Sequence, residues 1–182
     1  MMRQYSLVHA GETPETYVVG IRRDRASRGG STFIHDKLRV GAELAIGGPR
    51  NNFPLDENAA HSVLVAGGIG ITPIMSMIRH LESSGVAKFR LVYLTRDAQS
   101  TAFLDELLSE ERRSMVTLHH DEGDPARAFD LWPLFEKPGP AHIYCCGPRP
   151  LMDAVRDMSG HWPRAQIHFE SFADAEQTRM AD

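Results

Sequence analysis

The chain has 182 residues, 42% hydrophobic and 24% charged, which suits one domain or two small ones with a sizeable buried core. Its formal net charge of −4 gives no support to nucleic-acid binding or to a polybasic membrane patch. No apolar run reaches membrane-spanning length and no signal peptide opens the chain, so the expected location is the cytoplasm. The cysteines, Cys145 and Cys146, are neighbours, a spacing that suits neither zinc nor an iron–sulfur cluster and points to a reducing compartment.

Residues 3 to 55 read as β. Strands are expected from Arg3 to Val8, from Tyr17 to Arg22 and from Glu43 to Ile46, with a turn at Gly11–Pro14. Arg28 to Ser31 is a loop leading into a short helical turn, Thr32 to Lys37. Pro49 to Leu55 is irregular by its prolines and asparagines. Three strands and one helical turn make a poor independent core.

From Ser62 the texture changes to βα repeats. Strands are predicted at Ser62–Ala66, Phe89–Leu94, Val116–His119, His142–Cys145 and Gln166–Phe169. Between several of them, apolar faces recur at helical spacing: Ile74, Met77, Ile78 and Leu81; Phe103, Leu104, Leu107 and Leu108; Leu151, Val155 and Met158. The expected architecture is an α/β nucleotide-binding domain with a five-stranded parallel sheet covered by helices. Ligands of such sheets sit beyond the carboxyl ends of the strands.

The first βα turn carries Gly67, Gly68 and Gly70, then Thr72 and Pro73. Glycines let backbone approach a ligand, Thr72 is expected to cap the helix, and Pro73 suits its first turn. Free N–H donors at a helix start attract phosphate, so this order is a nucleotide-site proposal that also reads as tight packing. Thr95, Arg96 and Asp97 end the second strand, where adenosine-ribose contacts are made. An acidic residue there suits a 2′-hydroxyl and an arginine a 2′-phosphate, so NADH and NADPH both stay open, beside a plain solvated loop. Cys146, Gly147 and Pro148 close the fourth strand, with Pro148 or Pro150 opening a helix. Gly147 offers a flat floor for a planar ring, and Cys146, at the strand's mouth, is a better site candidate than Cys145. His119 to Asp124 reads as a solvated strand exit rather than a metal cluster, since strand neighbours point to opposite faces. Arg28, Gly29, Gly30 and Ser31 combine a guanidinium, backbone N–H groups and a hydroxyl, which suits a phosphate monoester or a flexible basic loop.

With these pieces in order, the chain resembles the ferredoxin-reductase superfamily, and within it the reductase components of Rieske-type aromatic oxygenases, the phthalate dioxygenase reductase and vanillate demethylase reductase group. Arg3-Gln-Tyr5-Ser6 matches the family's flavin motif and Gly29-Gly30-Ser31 its flavin-phosphate loop. Pro49 to Leu55 is close to a segment at the barrel's exit. Gly67 to Pro73 matches the nicotinamide dinucleotide motif, Cys146 to Met152 the nicotinamide-side motif, and His168 to Phe172 the terminal segment whose aromatic covers the flavin.

The resemblance implies a flavin β-barrel, here partial and antiparallel over residues 1–58, then an NAD-binding domain over 59–172 and a tail or linker stub over 173–182. It implies hydride transfer from nicotinamide to flavin and single-electron release to a two-iron, two-sulfur ferredoxin centre serving an aromatic-ring oxygenase or O-demethylase. Arg3 would pair with flavin phosphate, and Tyr5 and Ser6 would line the ring. Thr72, Cys146 and Gly147 would position the nicotinamide, Phe172 would cap the flavin, and Glu170 would give a polar contact or proton route. FMN is implied ahead of FAD, and NAD with NADP left open.

Two departures stand out. The barrel strands that precede Arg3 in the family are missing, which leaves an open edge that invites self-association and weakens flavin binding. A ferredoxin domain and its cysteine quartet are also missing, so the iron–sulfur centre is expected on another chain or lost. A catalytically silent nucleotide-binding fragment and a stand-alone flavin or ferric reductase are the alternatives.

Overall fold

The apolar runs beyond residue 60 supply strands that are buried on both faces, and helices fold back to cover them. A computed structural model describes residues 3–9, 15–24, 28–85 and 88–172; the expected turn at 11–14 and the tail from 173 lie outside them. In chain order the elements are α1 (Gly30–Asp36), β1 (His61–Gly67), α2 (Ile71–Ser84), β2 (Lys88–Thr95), α3 (Leu104–Leu107), β3 (Val116–His120), α4 (Trp132–Phe135), β4 (Ala141–Cys146), α5 (Arg149–Met158) and β5 (Ile167–Glu170).

The five strands form one parallel sheet in the order β3-β2-β1-β4-β5. Alternation divides their side chains between two cores. Leu64, Ala66, Leu91, Tyr93, Tyr144 and Cys146 face α2, while Val65, Val92, Ile143 and Cys145 face α5, Phe135 and Trp162. The chain runs outward from β1 to β3, then returns to β4 on the other side of β1. The order therefore reverses between β1 and β4, and a crevice opens at their carboxyl ends.

Helix α2 fits its sequence, with Ile71, Ile74, Met75 and Ile78 fully buried and Gly85, at φ 65°, ending it. Its start corrects one expectation. A 3₁₀ turn over Gly68–Gly70 precedes the helix, so Gly70 holds the N-cap position. Thr72 lies inside the first turn, where its hydroxyl donates to the Ile69 carbonyl at 3.0 Å instead of capping.

The amino-terminal half departs further from the strands expected there. Leu7 and Val19 make a single antiparallel bridge, supported by the Val8 N–H donating to the Val18 carbonyl at 3.0 Å. Residues 43–46 form no strand, and Leu44 and Ile46 are exposed. A ladder needs a neighbour, and none faces this segment among the described residues; the partial barrel is thus reduced to two short apposed segments. The helical turn does form, two residues earlier than expected, as α1. Before residue 59, Val8 and Phe53 are the described side chains that join the core.

The segment after Phe53 is pinned to β4 and β5. Phe53 packs edge-on against Tyr144 with ring centres 5.8 Å apart, and the Asp56 N–H donates to the Tyr144 hydroxyl at 2.8 Å. His168 stacks on Tyr144 at 4.5 Å, and its Nε2 lies 3.1 Å from Nδ1 of His142, which faces Asp56.

Candidate functional site

The largest concentration of expected site residues lines one crevice of about 350 Å³. Arg3, Tyr5, Ser6, Arg28, Gly30 and Ser31 come to it from the amino-terminal half, Thr72 from the start of α2, and Phe172 from the residues after β5. Gln4, Gly20, Ile21, Arg22, Asp24 and Ile69 complete the lining and were missed by sequence reasoning. For Gly20 and Arg22 a signal existed, because residues two apart on an extended segment share a face. Three guanidinium groups and one carboxylate, Asp24, thus surround the space, an excess of positive charge suited to an anionic ligand.

Local packing builds the cationic end. The Arg3 side chain lies across Gly30, where a Cβ would come within 2.9 Å of its Nε. The Asp24 N–H donates to the Ser31 hydroxyl at 3.1 Å, and Arg23 pairs with Asp36 at 3.0 Å, so the segment through residue 24 is fastened to α1. Gly29, with φ 98°, flanks α1 in a conformation that favours glycine.

At the switch between β1 and β4, glycines permit contact of backbone with backbone. A Cβ on Gly70 would lie 2.1 Å from the Cys146 carbonyl oxygen. One on Gly67 would meet Pro148 and Leu151 at 2.6 and 2.7 Å, and one on Gly147 would lie 3.0 Å from the Gly67 backbone. Gly67, Gly70, Cys146, Gly147 and Pro148 are therefore brought together, as the motif order implied. Gly68 differs: its φ is 52°, and a Cβ there would have Nη1 of Arg22 as its nearest neighbour, at 3.9 Å. The Tyr93 hydroxyl donates to the Gly68 carbonyl at 3.0 Å; burial pushes its pKa up to about 12, which keeps it a donor.

Glu170 pairs in register with Cys146. Burial raises its carboxyl pKa, opposed by a hydrogen bond with the Ser6 side chain, and its Oε2 is buried without a hydrogen-bond partner. Phe172, half-exposed, stands beyond it at the crevice. The expectation for the Cys146 thiol needs correction. It is fully buried, facing α2 and not the crevice, and burial with the nearby Glu170 drives its pKa upward. Met152 is likewise buried, packing α5 onto the other face of the sheet, and Pro73 is buried in α2. What Cys146 presents at the switch is its backbone.

Arg96 and Asp97 sit at the carboxyl end of β2 and outside the crevice lining. Asp97 accepts from the Ser100 N–H at 2.7 Å, and this bond, with the Ser100 hydroxyl, holds its pKa below the usual carboxylate value. Arg96 runs alongside Gly123. Thr95 joins Thr101 at 2.7 Å and His120 at 2.8 Å, while His119 contacts the Arg127 carbonyl at 2.6 Å.

Residues 64–157 match the family model described as the oxidoreductase NAD-binding domain. Over 171 residues the chain is 54% identical to the phthalate dioxygenase reductase of Burkholderia cepacia, covering 93% of this chain and 53% of that protein. It is 50% identical over 182 residues to the phthalate 4,5-dioxygenase oxygenase reductase subunit of Pseudomonas putida, covering 100% of this chain and 56% of the relative. A solved phthalate dioxygenase reductase, described as a modular structure for electron transfer from pyridine nucleotides to 2Fe-2S, superposes with a TM-score of 0.90 at 53% identity, covering 93% of this chain and 53% of that one. The chain spans about half the length of the curated relatives it matches.

Proposed function

We propose, for a chain that belongs to the oxidoreductase NAD-binding domain family, that it is the nicotinamide- and flavin-binding portion of a reductase. Its task is to oxidise NADH and pass electrons through FMN to a two-iron, two-sulfur ferredoxin centre that serves an aromatic-ring oxygenase or O-demethylase. The observation that carries this reading is the crevice, in which Arg3, Tyr5, Ser6 and Ser31 of one half face Thr72 of the other, with Phe172 beside them. We assign residues 1–58 to the flavin side and 59–172 to the dinucleotide side.

The crevice chemistry fits a flavin mononucleotide. Arg3, Arg28 and Ser31 would hold its phosphate by charge-assisted hydrogen bonds, and Tyr5 and Ser6 would line its ring. Oε2 of Glu170 is buried with no hydrogen-bond partner, a polar atom that a bound water would satisfy. The flavin, when bound, supplies hydride acceptance and single-electron release. Gly67, Gly68, Gly70 and the start of α2 would cradle the dinucleotide pyrophosphate, with Arg22 reaching over Gly68. Gly147 and the Cys146 backbone would form the floor for the nicotinamide. Phe172 would exclude water from the ring face until the nicotinamide takes its place. Glu170, protonated over a wider range than an exposed carboxyl, would hold a proton beside Ser6. Asp97, at the carboxyl end of β2, would accept from a ribose 2′-hydroxyl, the contact that suits NADH.

The exposed Tyr17, Val18, Val19, Phe33, Leu44 and Ile46 support an association face in the amino-terminal half, covered by further β structure or by a second copy of the chain. No helix among the described residues is long and apolar enough to cross a membrane. The free thiols of Cys145 and Cys146 support a reducing, cytoplasmic setting.

Titration of the purified chain with FMN, followed by flavin fluorescence, tests the assignment. Saturable binding that weakens in Arg3→Met and Ser31→Ala supports it; binding indifferent to both overturns it. The single bridge between residues 7 and 19 favours one second reading, a nucleotide-binding fragment without turnover. NADH oxidation with a one-electron acceptor, dependent on added FMN, excludes that fragment. Cytochrome c reduction that needs a separate ferredoxin separates the oxygenase reductase from a stand-alone flavin or ferric reductase.

A further inference from the structure

The two outer strands on one side of the sheet end in a polar pair outside the crevice. Thr95 closes β2 and His120 closes β3, opposite each other in register. Thr95 is buried, and so is Thr101 on the loop after β2. Three short contacts run through them in series. Nδ1 of His120 lies 2.8 Å from the Thr95 hydroxyl, the Thr95 and Thr101 hydroxyls are 2.7 Å apart, and the Thr101 hydroxyl is 2.7 Å from the Asp97 carbonyl. Thr95 itself is 3.5 Å from that carbonyl, too far to compete.

Counting protons fixes the direction of this chain. The carbonyl can only accept, so the Thr101 proton goes to Asp97. Thr101 must then accept from Thr95, and Thr95, its proton spent, must accept from the imidazole. Three bonds and two hydroxyls leave the third proton to Nδ1. A neutral His120 is therefore held as the Nδ1–H tautomer, with a lone pair on Nε2 at the opposite edge of the ring. Among the described residues Nε2 has no hydrogen-bond partner, yet it is not one of the buried polar atoms left without one, so it opens to solvent.

The corner that carries this atom is rigid. Beyond the strands, the Asp121 N–H donates to the Thr95 carbonyl at 3.2 Å and the Glu122 N–H to the Arg96 carbonyl at 2.8 Å, which zips the two exits together. Glu122 sits at φ 54°, a backbone conformation that a non-glycine residue keeps only where its surroundings impose it. Asp97, two residues beyond Thr95, brings a second acceptor to the same end of the sheet. Two acceptors suit a ligand with two neighbouring donors, and a ribose diol is one.

We propose that His120 is a specificity residue for the adenosine end of the dinucleotide: its Nε2 accepts from one hydroxyl of the ribose diol, and Thr95 and Thr101 are positioning residues that keep the lone pair there. The binding role rests on this sheet end being the dinucleotide site; the tautomer does not. A 2′-phosphate would bring acceptors to an acceptor, so the same atom disfavours the phosphorylated cofactor.

The tautomer is tested first, in the ligand-free chain at pH 8, by nitrogen-15 NMR of the His120 ring. Wild type is expected to show the Nδ1–H form. Thr101→Val removes the last hydroxyl of the relay and lets Thr95 donate to Nδ1, so the Nε2–H form is expected to appear. An Nε2–H ring in wild type, or a ring unchanged in Thr101→Val, overturns the proposal. AMP, 2′-deoxy-AMP and 3′-deoxy-AMP are then titrated into the same chains. Wild type is expected to bind both deoxy analogues more weakly than AMP. In His120→Phe, AMP is expected to bind about fivefold more weakly, the effect of one neutral hydrogen bond. One analogue should then bind as well as AMP while the other keeps its penalty. Penalties that persist for both analogues, or vanish for both, overturn the role of His120. Should His120→Phe not fold, Thr101→Val carries the same comparison, with one penalty reduced. A wild-type chain that binds no AMP brings down the dinucleotide reading as well, whereas binding with both penalties unchanged in His120→Phe brings down this inference alone.

Discussion

Gly70→Ala is the sharpest perturbation at the switch between β1 and β4. The added methyl carbon would lie 2.1 Å from the Cys146 oxygen, 2.5 Å from its carbonyl carbon and 2.8 Å from the Gly147 nitrogen. All three are backbone atoms of β4 and its exit, so no rotamer change relieves the overlap. Reaching an ordinary contact of 3.4 Å requires the start of α2 to withdraw from β4 by about 1.3 Å. Ile71, Ile74, Met75 and Ile78 are fully buried and would move with it. Overpacking that side chains absorb costs about 1–3 kcal/mol. Here the chain cannot absorb it, so at least about 3 kcal/mol is expected, a shift of more than about a hundredfold in the folding equilibrium. Gly68→Ala is the matched control. Its surroundings are open and only the left-handed backbone, φ 52°, is disfavoured, at about 1–2 kcal/mol. Urea unfolding followed by far-ultraviolet circular dichroism, with equal slopes in all variants, measures both. A Gly70→Ala loss below about 1 kcal/mol, or one smaller than that of Gly68→Ala, would refute the backbone-contact account of the motif.

Three further outcomes follow from the titrating groups. Burial lifts the Glu170 pKa above its ordinary 4.5, so its contribution to stability is present below that value and lost as pH rises through the folded pKa. Glu170→Gln is expected to gain stability relative to wild type at pH 8, read from urea midpoints between pH 4 and 9; parallel profiles would contradict this. Burial, with His142 beside it, lowers the His168 pKa from its ordinary 6.5. The sign is opposite: stability is present above 6.5 and falls as pH drops toward the folded value, and His168→Phe, which keeps the stack on Tyr144, should flatten that loss. Cys145, with a pKa pushed up to about 12, and Cys146 are both shut into the core. Iodoacetamide at pH 8 is expected to leave both unlabelled in the native chain and to label both in urea; rapid native labelling of Cys146 would return its thiol to the crevice.

The sheet was legible because each strand is a short apolar run whose burial is decided locally. All five strands end within one residue of the bounds read from the sequence, from Ser62–Ala66 against β1 to Gln166–Phe169 against β5. Strands at 3–8, 17–22 and 43–46 were over-read because β-propensity needs a neighbour to act on, and only residues 7 and 19 find one another. Thr72 looked like a cap because a 3₁₀ turn over three glycine-rich residues leaves no mark distinct from a loop. Cys146 was placed at the strand's mouth correctly along the chain, but its face was decided by the pleat, which turns its side chain inward beside Tyr144. The ion-pair circuit of Arg79, Glu106, Arg112 and Glu82 depends on contacts between distant segments, which no local pattern encodes.

The uneven supply of core side chains has a thermodynamic consequence. Since Val8 and Phe53 are the only buried apolar side chains among the described residues before 59, backbone amides there should exchange with solvent through partial openings that leave β1 and β4 protected. A molecule gripping both Ser31 and Thr72 would act as a clamp on those openings. At a hundredfold excess over its dissociation constant, it would slow that exchange by the equivalent of about 2.7 kcal/mol while leaving the central strands limited by global unfolding.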